Sequence, residues 1–449
     1  MGELAEFKVN GVDLYALKNG YAAYPRLLEI FKRDDWVSAP DGESTKARHA
    51  FQTNRKAAIS RLEVQGYSLE RALNQISLSV EKYELSGHEQ AKLPFIDANE
   101  DYFWEEDENP PEEVGRIVAA ISDCSTLLAA YEQFFSDRDI ADSMRYPSVV
   151  PRTPNFQPVK PVNVLAKKLF ANETGWQFLL AIDPLYELRI ILECQKDNCE
   201  VEYDCTDVIE LWDPNIEERL LREFDDVSAR CKTVVLTEGP TDDEFLSAAL
   251  ELFEPDVAHL FQFFDYHNDY KPEQSANALC KLGKALMAAK LSDRFILIFD
   301  NDTVGRQARN GLPKNEDMPG NMAAITLPDT QLGENYLTIG PDGKSESNVN
   351  GRACAVEFYL GRDALLDSEN NFRPIIWNEY HAGEYQGGFS KDDKRTIEES
   401  FRQAISQLRQ DGPETFKYDW DPIKSVLKSI IDQASSLEPV ASQHPSLIA

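Results

Sequence analysis

Hydrophobic and polar positions alternate at the start of the chain. In EFKVNGVDLYALKNG, residues 6–20, the alternation runs on both sides of Asn10-Gly11, which predicts a hairpin. The period then lengthens. Across residues 44–80, Ala50, Ala57, Ile59, Leu62 and Val64 recur at threes and fours and Gly66 stops the run, predicting a helix. PPEEVGRIVAAISDCSTLLAAYEQFF, residues 110–135, is the clearest helix. Pro110 and Pro111 stand at its start, with Glu112 and Glu113 in the dipole-favoured first turn. Five prolines in residues 145–163 predict an extended linker. The apolar run at 175–193 and CEVEYD at 199–204 suggest strands, and residues 213–230 suggest a helix.

From residue 231 the pattern becomes regular. Short β-branched or apolar runs (CKTVVLTEG, VAHLFQFFDY, RFILIFDND, NMAAITLPD) alternate with amphipathic stretches (TDDEFLSAALELF, SANALCKLGKALMAAKL, TVGRQARNG). Strands alternating with helices predict βαβ units and a mostly parallel sheet. Two further helical stretches lie at 394–410 and 421–436. The fold class is therefore α+β and multidomain, an α-rich N-terminal region followed by an α/β domain.

The chemistry concentrates in two places. Glu238 and Gly239 follow one predicted strand, with Asp242 at the next helix start; Asp300 and Asp302 end another strand, with Gly305 and Arg306 behind them. In an open parallel sheet ligands collect at the carboxyl ends of strands. Acids gathered there repel one another unless a cation lies between them. Oxygen-liganded Mg²⁺ is the natural occupant, with Mn²⁺ as the alternative. Alternation in Asp300-Asn301-Asp302 sets both acids on one face. Gly239 and Gly305 are expected to give sharp turns and space beside the acids.

T-E-G-P-T-D at 237–242 and F-D-N-D-T-V-G-R-Q-A at 299–308 resemble the two signature motifs of the Toprim domain. The resemblance implies a Mg²⁺ ion held by Glu238, Asp300 and Asp302, and phosphodiester chemistry on nucleic acid. It also implies a further metal-site role for Asp242. GRACAVEFYL resembles the downstream acidic element of Toprim nucleases, which adds Glu357. Glu238 would be the metal-proximal acid and general base, and Arg306 would steady the scissile phosphate. A helical region ahead of a Toprim block resembles the bacterial HEPN/Toprim-associated proteins. Active HEPN ribonucleases carry Arg and His four to six residues apart. None of the six histidines here follows an Arg at that offset; Arg373 and His381, with seven residues between, come nearest. An N-terminal region that binds or dimerises rather than cuts is therefore expected. The division expected is an N-terminal domain at 1–150, a connecting segment at 151–230, a Toprim-like catalytic domain at 231–365 and a helical extension at 366–449.

Charge and cysteines restrict the rest. With 78 acidic and 46 basic residues the net charge is −32, which argues against broad, tight duplex binding. Residues 231–309 hold thirteen acids and eight basic residues, so that block is only mildly acidic. His267 is a secondary candidate for positioning a water or phosphate; among the local cations, which include Arg294 and Arg309, Lys281 and Lys284 fall on one helix face and could track a backbone. Nine carboxylates and no Lys or Arg fall between Asp97 and Glu113, a solvated loop or a partner surface. Seven cysteines, an odd number, suit a reducing compartment better than a disulfide framework. Cys194, Cys199 and Cys205 lack the pairing of a zinc set. No apolar run nears the ~18 residues of a membrane span, and no signal peptide is evident, so a cytoplasmic protein is expected. The reading is a Mg²⁺-dependent nuclease acting on DNA or RNA. It would be an effector or subunit of a prokaryotic anti-phage system, with a protein partner or a second copy of itself. The alternative is a non-cleaving protein that senses nucleic acid or nucleotide.

Overall fold

The computed structural model describes residues 4–18, 25–40, 47–75, 78, 128, 183–211, 215–266, 273–381, 384–412 and 416–440. The predicted helix at 110–135 (Leu128 apart), the acidic run at 97–113, the proline segment at 145–163 and His267 lie outside these residues. The chain divides into two compact units, one built from residues up to Cys231 apart from Val64–Gly66, the other from Val64–Gly66 and Lys232 onward.

The first unit is organised on a five-stranded antiparallel sheet of order β2-β1-β5-β4-β3. Its strands are β1 (Leu4–Val9), β2 (Val12–Lys18), β3 (Trp36–Pro40), β4 (Ala47–Asn54) and β5 (Glu200–Asp204). The Asn10-Gly11 turn joins β1 and β2, with both residues at positive φ (51° and 74°). That backbone matches the twist of a two-residue hairpin. Ala50 lies in β4, and the helix begins only at Arg55, as α1 (Arg55–Val64). Residues 184–193 are not a strand but helix α2 (Pro184–Glu193). A continuous apolar run fits either element, and the cap decides between them. Asp183 Oδ1 accepts from the Leu185 N–H at 3.1 Å and Pro184 takes the first helical position. Helices α3 (Thr206–Leu211) and α4 (Ile216–Arg230) complete the unit. Phe7, Phe31, Phe51, Leu188, Tyr203 and Phe224 meet in its core.

The second unit begins with alternating strands and helices: β6 (Thr233–Leu236), α5 (Pro240–Phe253), β7 (Phe261–Phe263), α6 (Ala276–Ala289), β8 (Arg294–Phe299), the short β9 (Asn301–Asp302), α7 (Thr303–Asn310) and β10 (Met322–Thr326). β6, β7, β8 and β10 form a parallel sheet of order β10-β8-β6-β7. The chain moves outward from β6 to β7, then returns to the other side of β6 to lay down β8. The strand order therefore reverses between β6 and β8, and the crevice at such a switch point is where open sheets bind ligands. β8 is buried along its whole length, as a strand covered on both faces must be.

The remainder holds a sheet that its sequence pattern does not announce. After α8 (Gln331–Glu334) come β11 (Tyr336–Gly340), β12 (Gly343–Ser347), β13 (Ala353–Cys354), β14 (Ile375–His381) and β15 (Glu384–Gly388). Four of them form a sheet of order β12-β11-β14-β15, while β13 pairs with β9. The region after 366 thus supplies strands before the two predicted helices, α9 (Lys391–Asp411) and α10 (Asp421–Ser436). Phe401 and Trp420, with ring centroids 5.8 Å apart, help hold α9 and α10 together.

Candidate functional site

Glu238 stands two residues beyond β6 and Asp300 directly after β8. Because these strands are adjacent and parallel, the two motifs meet although sixty-two residues separate them. The meeting is fixed by a hydrogen bond: the Asp300 N–H donates to Glu238 Oε1 at 2.9 Å. Gly305 makes the approach possible. A Cβ there would overlap the Asp300 carbonyl and come within 2.9 Å of Glu238 Oε1. Gly239 has no such duty. Its backbone is extended (φ −162°) and a Cβ would meet nothing within 4 Å, so the expectation of a required glycine holds at Gly305 and fails at Gly239.

Asp242 and Asp302 are each held by a helix start. Asp242 Oδ2 accepts from the Gly239 N–H at 3.2 Å, at the N-terminus of α5. Asp302 Oδ1 caps α7 by accepting from the Gly305 N–H at 2.7 Å. The amide of Gln386, on β15, grips the other side. Its Nε2 donates to Asp302 Oδ2 at 2.5 Å, and its Oε1 accepts from the Thr303 N–H at 2.9 Å. Glu357 lies in a 3-10 turn, Val356–Tyr359, and is buried. Its Oε1 pairs with Lys394 Nζ at 2.8 Å, and its Oε2 is buried without a partner.

These acids disturb one another. Burial, then Glu238, Asp242, Asp302 and Glu357, push the Asp300 carboxyl well above the usual carboxylate range. Burial, then Glu357 and Glu238, do the same to Asp242. Burial and Asp302 raise Glu238 to about 7 against the opposing Asp300 N–H bond. Burial works against the charge on Lys394, but Glu357, with Asp300 and Asp242 behind it, holds its ammonium above the ordinary lysine range. A cavity of about 320 Å³ opens on this group. Asp300, Asp302, Glu357 and Lys394 line it, facing Asn378 and residues 386–389.

The donor set suits a hard divalent cation: all the acids offer carboxylate oxygen, Glu357 Oε2 is buried without a partner, and in the cavity lining one ammonium, Lys394, stands against several acids. Among the described residues no three such side chains already converge on one ion position.

Arg306 is exposed, with its guanidinium lying against Gly351, and is not part of the cavity lining. The cation that faces the cavity is Lys394. Arg294 is buried and donates to the Ala434 carbonyl, and Arg309 donates to the Ala324 carbonyl at 2.7 Å; both serve the fold. Gln386 and Lys394 escaped the sequence analysis. Each acts on an acid far away along the chain, and no local motif marks either.

Acids at the switch point of an open parallel sheet, following Toprim-like motifs, define a Toprim-like α/β domain joined to a separate N-terminal unit. Residues 1–212 match the family model described as HEPN/Toprim N-terminal domain 1. The match lies wholly outside both acidic motifs, so the two halves point to the same kind of protein independently. Residues 1–212 are thus similar to a HEPN/Toprim N-terminal domain, which is consistent with a HEPN/Toprim-associated protein. No curated protein and no solved structure matches the chain. No helix among the described residues is long and apolar enough to cross a membrane.

Proposed function

We propose that the protein is a metal-dependent phosphodiester hydrolase acting on nucleic acid, an effector or subunit of a prokaryotic anti-phage system. The observation that carries the reading is the half-buried Asp300, with Glu238, Asp242, Asp302 and Glu357 around it at the switch point of the sheet. Glu238, Asp300 and Asp302 would hold Mg²⁺ or Mn²⁺, with Asp242 and Glu357 behind them. The ion, when bound, would polarise a phosphoryl group and activate a water. Gln386 fixes the orientation of Asp302, and the Asp300 N–H fixes that of Glu238. Lys394 presents an ammonium to the cavity, where it can meet a phosphate oxygen; this role falls to it rather than to Arg306.

The test is cleavage of DNA, RNA and tRNA by purified protein with and without Mg²⁺ or Mn²⁺. We expect metal-dependent product from the wild type and none from a folded Asp300→Asn variant. Unchanged cleavage by that variant would overturn the assignment. The net charge of −32 favours a second reading, in which a basic partner delivers nucleic acid to a site that binds without cutting. No product under any metal, together with a stable partner complex, would select it.

A further inference from the structure

The sheet that forms one wall of the acidic cavity carries a second feature beside it. Trp377 on β14 is paired in register with Gly387 on β15. A Cβ on Gly387 would lie 2.7 Å from Trp377 Cε3, and one on Gly340 would lie 3.2 Å from its Cδ1. The indole therefore rests flat on the sheet, where glycines leave it room. Above it the Arg352 guanidinium sits 5.2 Å from the ring centroid, a cation–π stack. Tyr385 stands alongside, its ring centroid 6.4 Å from that of Trp377, and it is 44% exposed. Arg306 adds a second guanidinium against the neighbouring Gly351.

This platform is joined to the site. The Tyr385 carbonyl accepts from Thr303 Oγ1 at 3.2 Å, and the next residue is Gln386, which holds Asp302. Arg352 precedes Ala353, which pairs in register with Asp302. A stacked aromatic and guanidinium surface next to a phosphate-handling site fits one class of ligand. Unpaired bases stack on aromatic rings and Arg planes whatever their sequence, while neighbouring cations meet the backbone. Bases inside a duplex have no free face to offer.

We infer that Tyr385, Trp377 and Arg352 form a base-stacking platform that selects single-stranded nucleic acid for the acidic cavity. The inference deepens the hydrolase reading and rests on it for the role of the cavity, but its test reads binding alone. The full chain carrying Asp300→Asn, with Mg²⁺ present, is titrated against fluorescent oligo(dT), oligo(U) and a duplex. Each is about 12 nucleotides long, within the ~4–16-nucleotide footprint of single-strand sites. Single strands of either sugar should bind at least about tenfold more tightly than the duplex. Tyr385→Ala should weaken single-strand binding about tenfold, and Arg352→Ala should weaken it as well. Tyr385→Phe should retain it, which separates stacking from damage to the fold. Equal affinity for duplex and single strand, or full binding by Tyr385→Ala, would overturn the platform. Single-strand binding by a wild type that cleaves nothing would overturn only the hydrolase reading.

Discussion

The two units treat their inward-facing acids in opposite ways. In the first, several are met by the protein's own cations. Arg61, 1% exposed, donates to Asp35 at 2.5 Å, to the Ile30 carbonyl at 2.8 Å and to Thr53. Arg26 serves Glu29, Asp183 and the Tyr67 hydroxyl together. Arg189 bridges Glu63 and Glu193, and Arg48 grips Glu202. In the second unit, Glu238, Asp242 and Asp300 face one another, and the cation in the cavity lining, Lys394, is committed to Glu357. Burying a charge without a partner is costly. On the hydrolase proposal, a cation arriving from outside would relieve that cost. On that proposal the contrast would separate carboxylates that build a fold from those kept for a ligand.

The sharpest way to break that contrast is to remove a charge from the second unit. Asp300→Asn should abolish metal-dependent cleavage and, in EDTA, raise the melting temperature, because a carboxyl that must either hold a proton or oppose its acidic neighbours is gone. A variant that loses activity and also melts lower would place Asp300 with the structural acids.

The converse experiment belongs to the first unit. Arg61→Met leaves Asp35 buried beside a vacated partner, and should cost about 3–5 kcal/mol by urea denaturation. A loss under about 1 kcal/mol would mean that pairing does not hold that unit together. Smaller in effect is Gln386→Ala, which frees Asp302 to turn. A residue that orients a ligating side chain is worth roughly 10–100-fold in metal affinity or activity, so the Mg²⁺ concentration for half-maximal cleavage should rise while the melting temperature changes little.

What the chain revealed beforehand follows the same division. Glu238, Asp242, Asp300 and Asp302 sit at strand ends and helix starts, positions set by local pattern, and their motifs could be read directly. The parallel sheet was legible because β6, β8 and β10 are short apolar runs separated by amphipathic helices. The β11–β15 region was not. Its strands are half exposed and rich in glycine and polar residues, so alternation is weak, and β13 and β9 have two residues each. Gln386 and Lys394 act across eighty-four and thirty-seven residues, and only the fold sets such distances. Residues 184–193 show the remaining limit: Asp183-Pro184 decided a helix that hydrophobicity alone had suggested as a strand.

The mildest test varies pH rather than sequence. In metal-free protein Glu238 titrates near 7 instead of near 4.5, so the folded state holds a proton that the unfolded state has released across that interval. Stability must then fall as pH rises from about 4.5 to 7, and the loss is complete above it. For this one carboxyl it is about 3 kcal/mol, with Asp300 and Asp242 acting in the same direction. Asp243, raised to about 7 by burial despite its bond to Thr237, adds a share that lies outside the acid cluster. Saturating Mg²⁺ should flatten the part due to the cluster, since a cation stabilises the ionised acids, and should leave the Asp243 part in place. The share from the first unit, where burial raises Glu29 against the opposing Arg26, should likewise not respond to Mg²⁺. Melting curves between pH 5 and 8, with EDTA and with Mg²⁺, separate the cluster's share from the rest. Metal-free stability that is flat or rises with pH would mean that the acids around Asp300 are neutralised from within, as several are in the first unit.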